Sequence, residues 1–157
     1  CLYLLPGLAA SRFLFLQLTI ITEILLMFLC LAAVLKYIFE SREVTLDTIF
    51  AAVVGYLMIA FIFAQGYMLL FALYPASFNL PIPTSPMAME TFHGDMIYYS
   101  LIVITTVGMG DILPLTPVAR ILTAIEAMVG QFFVVLLVAW LVGRFISQSS
   151  GHRPPPD

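Results

Sequence analysis

Residues 100–114 read SLIVITTVGMGDILP, and two glycines in this stretch bracket a single methionine. Glycine adopts left-handed backbone dihedrals that other residues resist. If residues alternate between ordinary and left-handed dihedrals, successive carbonyl oxygens point the same way. A ring of such carbonyls from several chains can replace the hydration shell of a cation without adding net charge. The chemistry that this stretch offers is therefore coordination of an ion by backbone oxygens.

The composition indicates a membrane protein. Of the 157 residues, 62% are hydrophobic and 10% are charged, and the mean hydropathy is +1.09, whereas a soluble domain carries about a quarter charged residues. The net charge of −3, without a basic stripe, gives no indication of nucleic-acid binding. The two cysteines form no disulfide framework. Because the chain opens with Cys1 inside an apolar stretch, we expect it to be a fragment with further membrane segments before it.

Three apolar runs are long enough to cross a bilayer, since a spanning helix needs about 20 apolar residues. They cover residues 13–39, 49–73 and 118–146. A fourth run, residues 96–107, is too short to cross, and runs of that length are typically re-entrant, interfacial or buried. Irregular backbone at membrane depth persists only where protein buries it or it lines a wet cavity. The fold class is therefore predicted as an all-α membrane protein with a cavity lined by protein next to the glycines.

The stretch TTVGMGD, residues 105–111, resembles the filter signature of tetrameric potassium channels, usually TVGYGD. The stretch that follows, DILPLTPVARILTAIEAMVG, is similar to the filter exit and inner helix of two-helix bacterial members of that family. The resemblance covers about residues 92–146. It implies an outer helix, a re-entrant pore helix with its filter, and an inner helix, here preceded by at least one extra transmembrane helix. It also implies a homotetramer in the lipid bilayer with one axial pore.

The apolar runs, the polar tail and this resemblance together predict three parts. Residues 1–48 are predicted to be a transmembrane segment with a cytoplasmic turn, residues 49–146 the pore domain, and residues 147–157 a disordered tail. The expected boundaries in the pore domain are outer helix 49–74, extracellular loop 75–91, pore helix 93–105, filter 106–111 and inner helix 117–146. Because basic residues flank the turn and the tail, the protein is expected to cross the cell membrane several times with a cytoplasmic C-terminus.

In this family the permeant K⁺ binds to backbone carbonyls, and K⁺ is the only ion or cofactor implied. The resemblance places these oxygens on Thr106, Val107, Gly108 and Met109, with the Thr106 hydroxyl as a further ligand and Gly110 completing the filter. The side chains of Val107 and Met109 are expected to point away from the ions. The C-terminal end of the pore helix carries a partial negative charge that favours a cation.

A second group of residues is expected to support the filter. These residues are Thr105, Asp111, Tyr98, Tyr99 and Glu126. In the family, aromatic residues at the positions of Tyr98 and Tyr99 brace the filter, and the alternative here is ordinary aromatic packing. Since Met109 replaces the usual filter tyrosine, its hydroxyl bond is lost, and we expect a filter held more by packing than by hydrogen bonds.

Glu126 is an ionisable group inside the third apolar run, which makes it a functional candidate. It shares a helical face with Gly130, four residues further on. Our hypothesis is that Glu126 packs behind the filter, bonds to Ser100 or Thr105 and is protonated. The alternative is an acid near the outer interface with access to water.

The remaining candidates concern the cavity and the outer mouth. Gly130 is interpreted as a hinge or a close-packing site, and Gln131 and Val134 as cavity residues. Arg120 opposes the dipole at its helix N-terminus, so we expect Asp111 nearby as an acidic partner, with independent solvation as the alternative.

Two further expectations concern polar residues of the helices. Thr91 or Asp95 is expected to cap the pore helix. Glu23 is expected to face protein or the interface rather than lipid.

The function predicted from the resemblance is passive, K⁺-selective conduction without catalysis. One alternative is a weakly selective channel for Na⁺ and K⁺, because changes in the filter can relax K⁺ preference. The other is a non-conducting membrane scaffold or transporter subunit, although a transporter more typically shows paired broken helices. We find no nucleophile–base pairing and no phosphate loop, so an enzyme is not predicted.

Overall fold

The structure is a computed structural model that describes residues 6–41, 43–83 and 85–150. These residues form four α-helices: α1 (Pro6–Glu40), α2 (Leu46–Leu73), α3 (Pro86–Ile104) and α4 (Pro117–Ser150). A short 3₁₀ turn, Pro75–Ser77, follows α2, and a single bridge pairs Phe78 with Pro114. No strand occurs within the described ranges, and the all-α prediction is confirmed.

Three of the described helices are long and apolar enough to cross a membrane. The spans are Gln17–Glu40, Leu46–Leu73 and Pro117–Ser147, and α3 is not among them. Many large apolar side chains on α1 and α4 are exposed, as expected of helices that face lipid or other chains. The prediction of three segments long and apolar enough to cross a membrane is confirmed.

The start of α3 corrects the sequence prediction, which placed it at residue 93 with Thr91 or Asp95 as the cap. The helix begins at Pro86, and the Ser85 hydroxyl caps it by accepting a backbone N–H. Proline is favoured at the first helical position, where its missing N–H has no partner to lose, and serine is a favoured N-cap. The prediction placed the start of the helix close to the apolar run that begins at residue 96 and therefore missed these capping signals.

The ends of α2 and α4 also differ from the predicted boundaries. α2 begins at Leu46 rather than at residue 49, because Thr45 accepts a hydrogen bond from a backbone N–H of the first turn. α4 continues to Ser150, into the stretch predicted as a disordered tail. The rest of that tail, residues 151–157, lies outside the described residues.

α1 and α2 form an antiparallel hairpin, since they are in contact and only a short connection joins them. Inside this hairpin the Gln65 amide donates a hydrogen bond of 2.8 Å to the Glu23 carboxyl. Glu23 therefore contacts a polar group of α2, although its side chain is exposed, and whether it faces protein or the interface stays open.

α3 packs against both α2 and α4. At one end of the bundle, the rings of Tyr67, Phe78 and Tyr99 meet edge to face with centroid separations of 5.2–5.5 Å. This aromatic cluster joins α2, the loop after it and α3. A second apolar cluster, which includes Ile59 and Ile104, packs around the C-terminal end of α3. The position of α3 is thus fixed at both ends.

Candidate functional site

The backbone after α3 alternates in handedness over the filter segment (residues 106–111). The φ angle is left-handed at Thr106 (60°), Gly108 (56°) and Gly110 (80°), while Val107 and Met109 keep ordinary values. This is the alternation by which successive carbonyls turn to one side. Left-handed φ is an outlier for a β-branched residue such as threonine and carries strain. Glycine removes that strain at the other two positions.

The filter segment is anchored to the last turn of α3. The N–H of Thr106 donates to the Val103 carbonyl at 2.9 Å, and those of Val107 and Gly108 both donate to the Ile102 carbonyl at 2.9 and 3.1 Å. These bonds satisfy carbonyls that a helix end leaves without partners. They also fix the direction in which the segment leaves the helix.

The other side of the filter segment is open in the single chain. Val107 is 56% exposed and Met109 is 67% exposed. A Cβ atom added at Gly108 or Gly110 meets nothing within 4 Å. The single chain therefore leaves this face of the segment uncovered.

Tyr98 and Tyr99, the two aromatic residues predicted to support the filter, make different contacts. A side-chain hydrogen bond from Tyr98 lowers the pKa of Asp111 below its usual range, and the same bond raises the pKa of Tyr98. Tyr99 is buried, and its hydroxyl forms a hydrogen bond of 2.8 Å with Thr123 of α4. Tyr98 therefore contacts the end of the filter segment, whereas Tyr99 joins α3 to α4.

The expected pairing of Arg120 with Asp111 is not found. The Arg120 Nε donates instead to the Pro114 carbonyl at 3.2 Å, three residues before its own helix begins. Within the described ranges the one ion pair is Lys36 with Glu40. Asp111 accepts hydrogen bonds from Tyr98 and from the Ile112 N–H. These two donors, rather than a cation, stabilise its negative charge.

Glu126 is completely buried where α2, α3 and α4 meet. One carboxyl oxygen contacts the Ser100 hydroxyl, and the other accepts a hydrogen bond from the Tyr67 hydroxyl. Thr105, the alternative partner in the sequence prediction, instead donates to the Leu101 carbonyl. Glu126 therefore touches the middle of α3 and reaches the filter segment only through that helix.

The Ser100 hydroxyl has two oxygen neighbours. The Ser100 Oγ lies 2.6 Å from the Ala60 carbonyl, which can only accept a hydrogen bond. Because a hydroxyl has one hydrogen, Ser100 can donate to Ala60 or to Glu126 but not to both. That Glu126 is protonated stays a prediction, in which the carboxyl donates to Ser100 and all three groups are satisfied.

Gly130 packs against the C-terminal end of α3. A Cβ atom there lies 2.4 Å from the Ile104 Cγ1 and 2.9 Å from the Ile104 carbonyl oxygen. The same carbonyl accepts a hydrogen bond of 2.8 Å from the Tyr56 hydroxyl. Of the two interpretations of Gly130, the geometry supports close packing. Gln131 and Val134, the predicted cavity residues, are exposed on α4.

Three contact residues were missed by the sequence reasoning. Tyr56 and Tyr67 could have been noticed in the sequence, because each places a phenol hydroxyl inside a spanning helix. Such a hydroxyl needs a hydrogen-bond partner when it is buried. Asn79 has no comparable signal, because it lies in an irregular loop. Its side-chain amide donates to the Asp111 carbonyl at 3.0 Å and accepts from the Leu113 N–H at 2.6 Å.

A family model described as "Ion channel" matches residues 49–147. The matched range begins in α2 and runs through α3 and the filter segment almost to the end of α4, and it omits α1. No curated protein and no solved structure matches the chain. The matched range contains all the contacts around the filter segment that are described above.

Proposed function

The chain belongs to the ion-channel family, and we propose that it conducts K⁺ selectively and passively across the cell membrane through a pore formed by four identical copies. The observation that carries this proposal is the alternation of handedness at Thr106, Gly108 and Gly110. An alternating backbone directs a row of carbonyls to one side. Neutral oxygens in that arrangement replace the water around a cation.

The ion ligands in this proposal are backbone oxygens of the filter segment. They come from Thr106, Val107, Gly108 and Met109, together with the Thr106 hydroxyl, and Gly110 lets the chain leave the filter. Two observations support the assignment: these residues are exposed, and α3 holds the start of the segment through three backbone hydrogen bonds. The partial negative charge at the C-terminal end of α3 adds a preference for cations.

The assembly of four copies is supported by the open side of the filter segment. Val107 and Met109 expose apolar side chains that no part of their own chain covers. Neighbouring copies would bury these side chains and close the ring of carbonyls. In the proposed orientation, residues 75–85 and 111–116 lie at the extracellular mouth and the C-terminus is cytoplasmic.

A weakly selective cation channel is the second candidate, and Met109 is the observation that favours it. A thioether accepts hydrogen bonds only weakly and donates none. The filter segment therefore lacks the tyrosine hydroxyl of the usual signature. If the remaining contacts hold the filter loosely, Na⁺ passes as well.

Flux of K⁺ into liposomes that contain the purified protein tests conduction. We expect uptake in the wild type and its loss in Gly108→Ala, because alanine resists the φ of 56° at this position. The matched control is Gly66→Ala, since a Cβ atom at Gly66 meets nothing within 4 Å and the position lies in α2. Uptake that persists in Gly108→Ala, or no uptake in the wild type, contradicts the proposal.

A further inference from the structure

The loop after α2 pairs with the exit segment (residues 111–115) that follows the filter glycines. The N–H of Asn79 donates to the Leu113 carbonyl at 3.2 Å, and the N–H of Leu115 donates to the Ser77 carbonyl at 2.8 Å. Phe78 and Pro114 form the bridge between these two bonds. The exit segment is therefore paired with backbone that lies outside α3 and α4, the two helices that it connects.

The Asn79 side chain adds two bonds on the filter side of this pairing. Its amide nitrogen donates to the carbonyl of Asp111, and its amide oxygen accepts from the N–H of Leu113. A side-chain amide has a donor and an acceptor on one rigid plane, so one residue satisfies both backbone groups. Asn79 thereby fixes the backbone that leaves Gly110.

The loop that carries Asn79 is itself fixed to the core. Phe78 is 2% exposed, and its ring lies 5.5 Å from the ring of Tyr67 and 5.4 Å from that of Tyr99. Ile112, on the exit segment, is buried in the same cluster. Asn79 thus ties the exit segment to the aromatic core rather than to a free loop.

We propose that Asn79 is a positioning residue that holds the outer end of the filter in its conducting geometry, in place of the hydroxyl that Met109 lacks. This inference rests on the proposed function. Asn79 acts through the Asp111 carbonyl and the Leu113 N–H and touches no ion. Its effect is to keep the Gly110 carbonyl and the groups before it in line with the pore axis.

A double-mutant cycle with Met109→Tyr tests this role in the conducting channel. In Asn79→Ala we expect the K⁺ current to inactivate about tenfold faster, as the loss of two neutral hydrogen bonds implies. In the Met109→Tyr background the added hydroxyl takes over the support, so the same substitution changes inactivation much less. Equal effects in both backgrounds overturn the proposal. The control is Thr91→Ala, whose hydroxyl donates to the Met87 carbonyl in its own helix.

Amide hydrogen exchange of the assembled protein tests the contact without any current. In Asn79→Ala the Leu113 amide is expected to exchange about tenfold faster, since its acceptor is lost. Asn79→Asp keeps that acceptor and loses only the donor to Asp111, so it serves as a second variant if the alanine variant does not fold. Unchanged Leu113 exchange in Asn79→Ala overturns the proposal. If that variant does not fold, inactivation at the wild-type rate in Asn79→Asp, which has lost the donor to Asp111, overturns it.

The two readouts separate this inference from the proposed function. If the wild type conducts no K⁺, the proposed function fails whatever the exchange shows. If K⁺ conduction is found and exchange quickens while inactivation stays at the wild-type rate, Asn79 is only a structural contact and its positioning role is refuted.

Discussion

At the scale of single residues, Met109 is the position at which the filter segment departs from the usual signature. Its thioether cannot donate a hydrogen bond, and its side chain is largely exposed in the single chain. Packing around it must therefore come from neighbouring copies in the proposed tetramer. Directional support for the outer end comes instead from Tyr98 on α3 and Asn79 on the loop after α2.

The bond between Tyr98 and Asp111 gives a prediction about external pH. The Tyr98 hydroxyl stabilises the charged carboxylate, so the pKa of Asp111 is lowered. The stabilisation is complete above the ordinary carboxyl pKa and is lost as pH falls through the lowered one. In Tyr98→Phe the pKa of Asp111 rises toward its ordinary value, and we expect the K⁺ current to fall at a higher external pH than in the wild type.

This shift is measured by titrating the external solution while the current is recorded. Asp111→Asn is the control, because it has no carboxyl to protonate and should lack this titration step. An identical acid midpoint in wild type and Tyr98→Phe shows that this hydrogen bond does not govern the outer mouth.

The filter segment also shows how far the backbone conformation of single residues can be predicted from the sequence. Gly108 and Gly110 adopt the left-handed φ predicted for them, because only glycine accepts it freely. The same φ at Thr106 was not predictable from local preference, since threonine resists it. Three backbone bonds from the start of the segment to the last turn of α3 impose it there.

At the scale of helices, α3 is held by polar contacts from both of its neighbours. Ser100 in its middle bonds to Ala60 of α2 and to Glu126 of α4, and the carbonyl of Ile104 at its end bonds to Tyr56 of α2. Inside a membrane protein such bonds satisfy groups that lipid cannot. They fix the position and direction of the C-terminal end of α3, from which the filter segment begins.

The predicted proton on Glu126 is tested by variants that separate charge from hydrogen bonding. In Glu126→Gln the amide N–H donates to Ser100 and the amide oxygen accepts from Tyr67, so we expect nearly wild-type stability and conduction. In Glu126→Ala both partners lose their bonds, which costs about 1–3 kcal/mol for a buried polar group left unsatisfied. Thermal unfolding of the purified protein in detergent measures both variants. A glutamine variant as unstable as the alanine variant contradicts the neutral acid.

The contact of Gly130 with Ile104 gives a second prediction for this interface. In Gly130→Ala the added Cβ meets the Ile104 carbonyl at 2.9 Å, so α3 or α4 must shift. Overpacking of this kind costs about 1–3 kcal/mol, and we expect lower thermal stability together with altered K⁺ flux.

Gly143→Ala is the matched control for that substitution, since it lies on the same helix and a Cβ atom there meets nothing within 4 Å. Equal stability of the two variants argues against close packing at Gly130. Normal stability of Gly130→Ala with a defect only in channel opening supports the hinge interpretation instead.

The helices were predictable to different degrees. The crossing segments followed from apolar length, and the contact between Glu126 and Ser100 was one of two partners expected from the helical face shared with Gly130. The start of α3 at Pro86 depended on a cap before the apolar run, which the run itself does not show. The partners Tyr67 and Asn79 lie far from Glu126 and Asp111 in the sequence, so only the fold reveals them.

At the scale of the whole molecule, the chain would supply one wall of the proposed ion site, and it leaves the facing side open. The family assignment covers α2, α3 and α4, the elements that hold the filter segment. α1 lies outside the matched range and packs along α2, with a polar contact between Glu23 and Gln65. The proposed tetramer turns four such walls toward one axis, with the exposed apolar faces toward lipid or neighbouring copies.

The reversal potential of the purified wild-type protein in planar bilayers, with K⁺ on one side and Na⁺ on the other, tests K⁺ selectivity most directly. If carbonyls of the filter segment select K⁺, the current reverses at a potential far from zero, with the sign set by K⁺ moving down its gradient. The sign is expected to invert, with the same magnitude, when the two solutions are exchanged. A reversal near zero contradicts K⁺ selectivity and identifies a weakly selective cation pore.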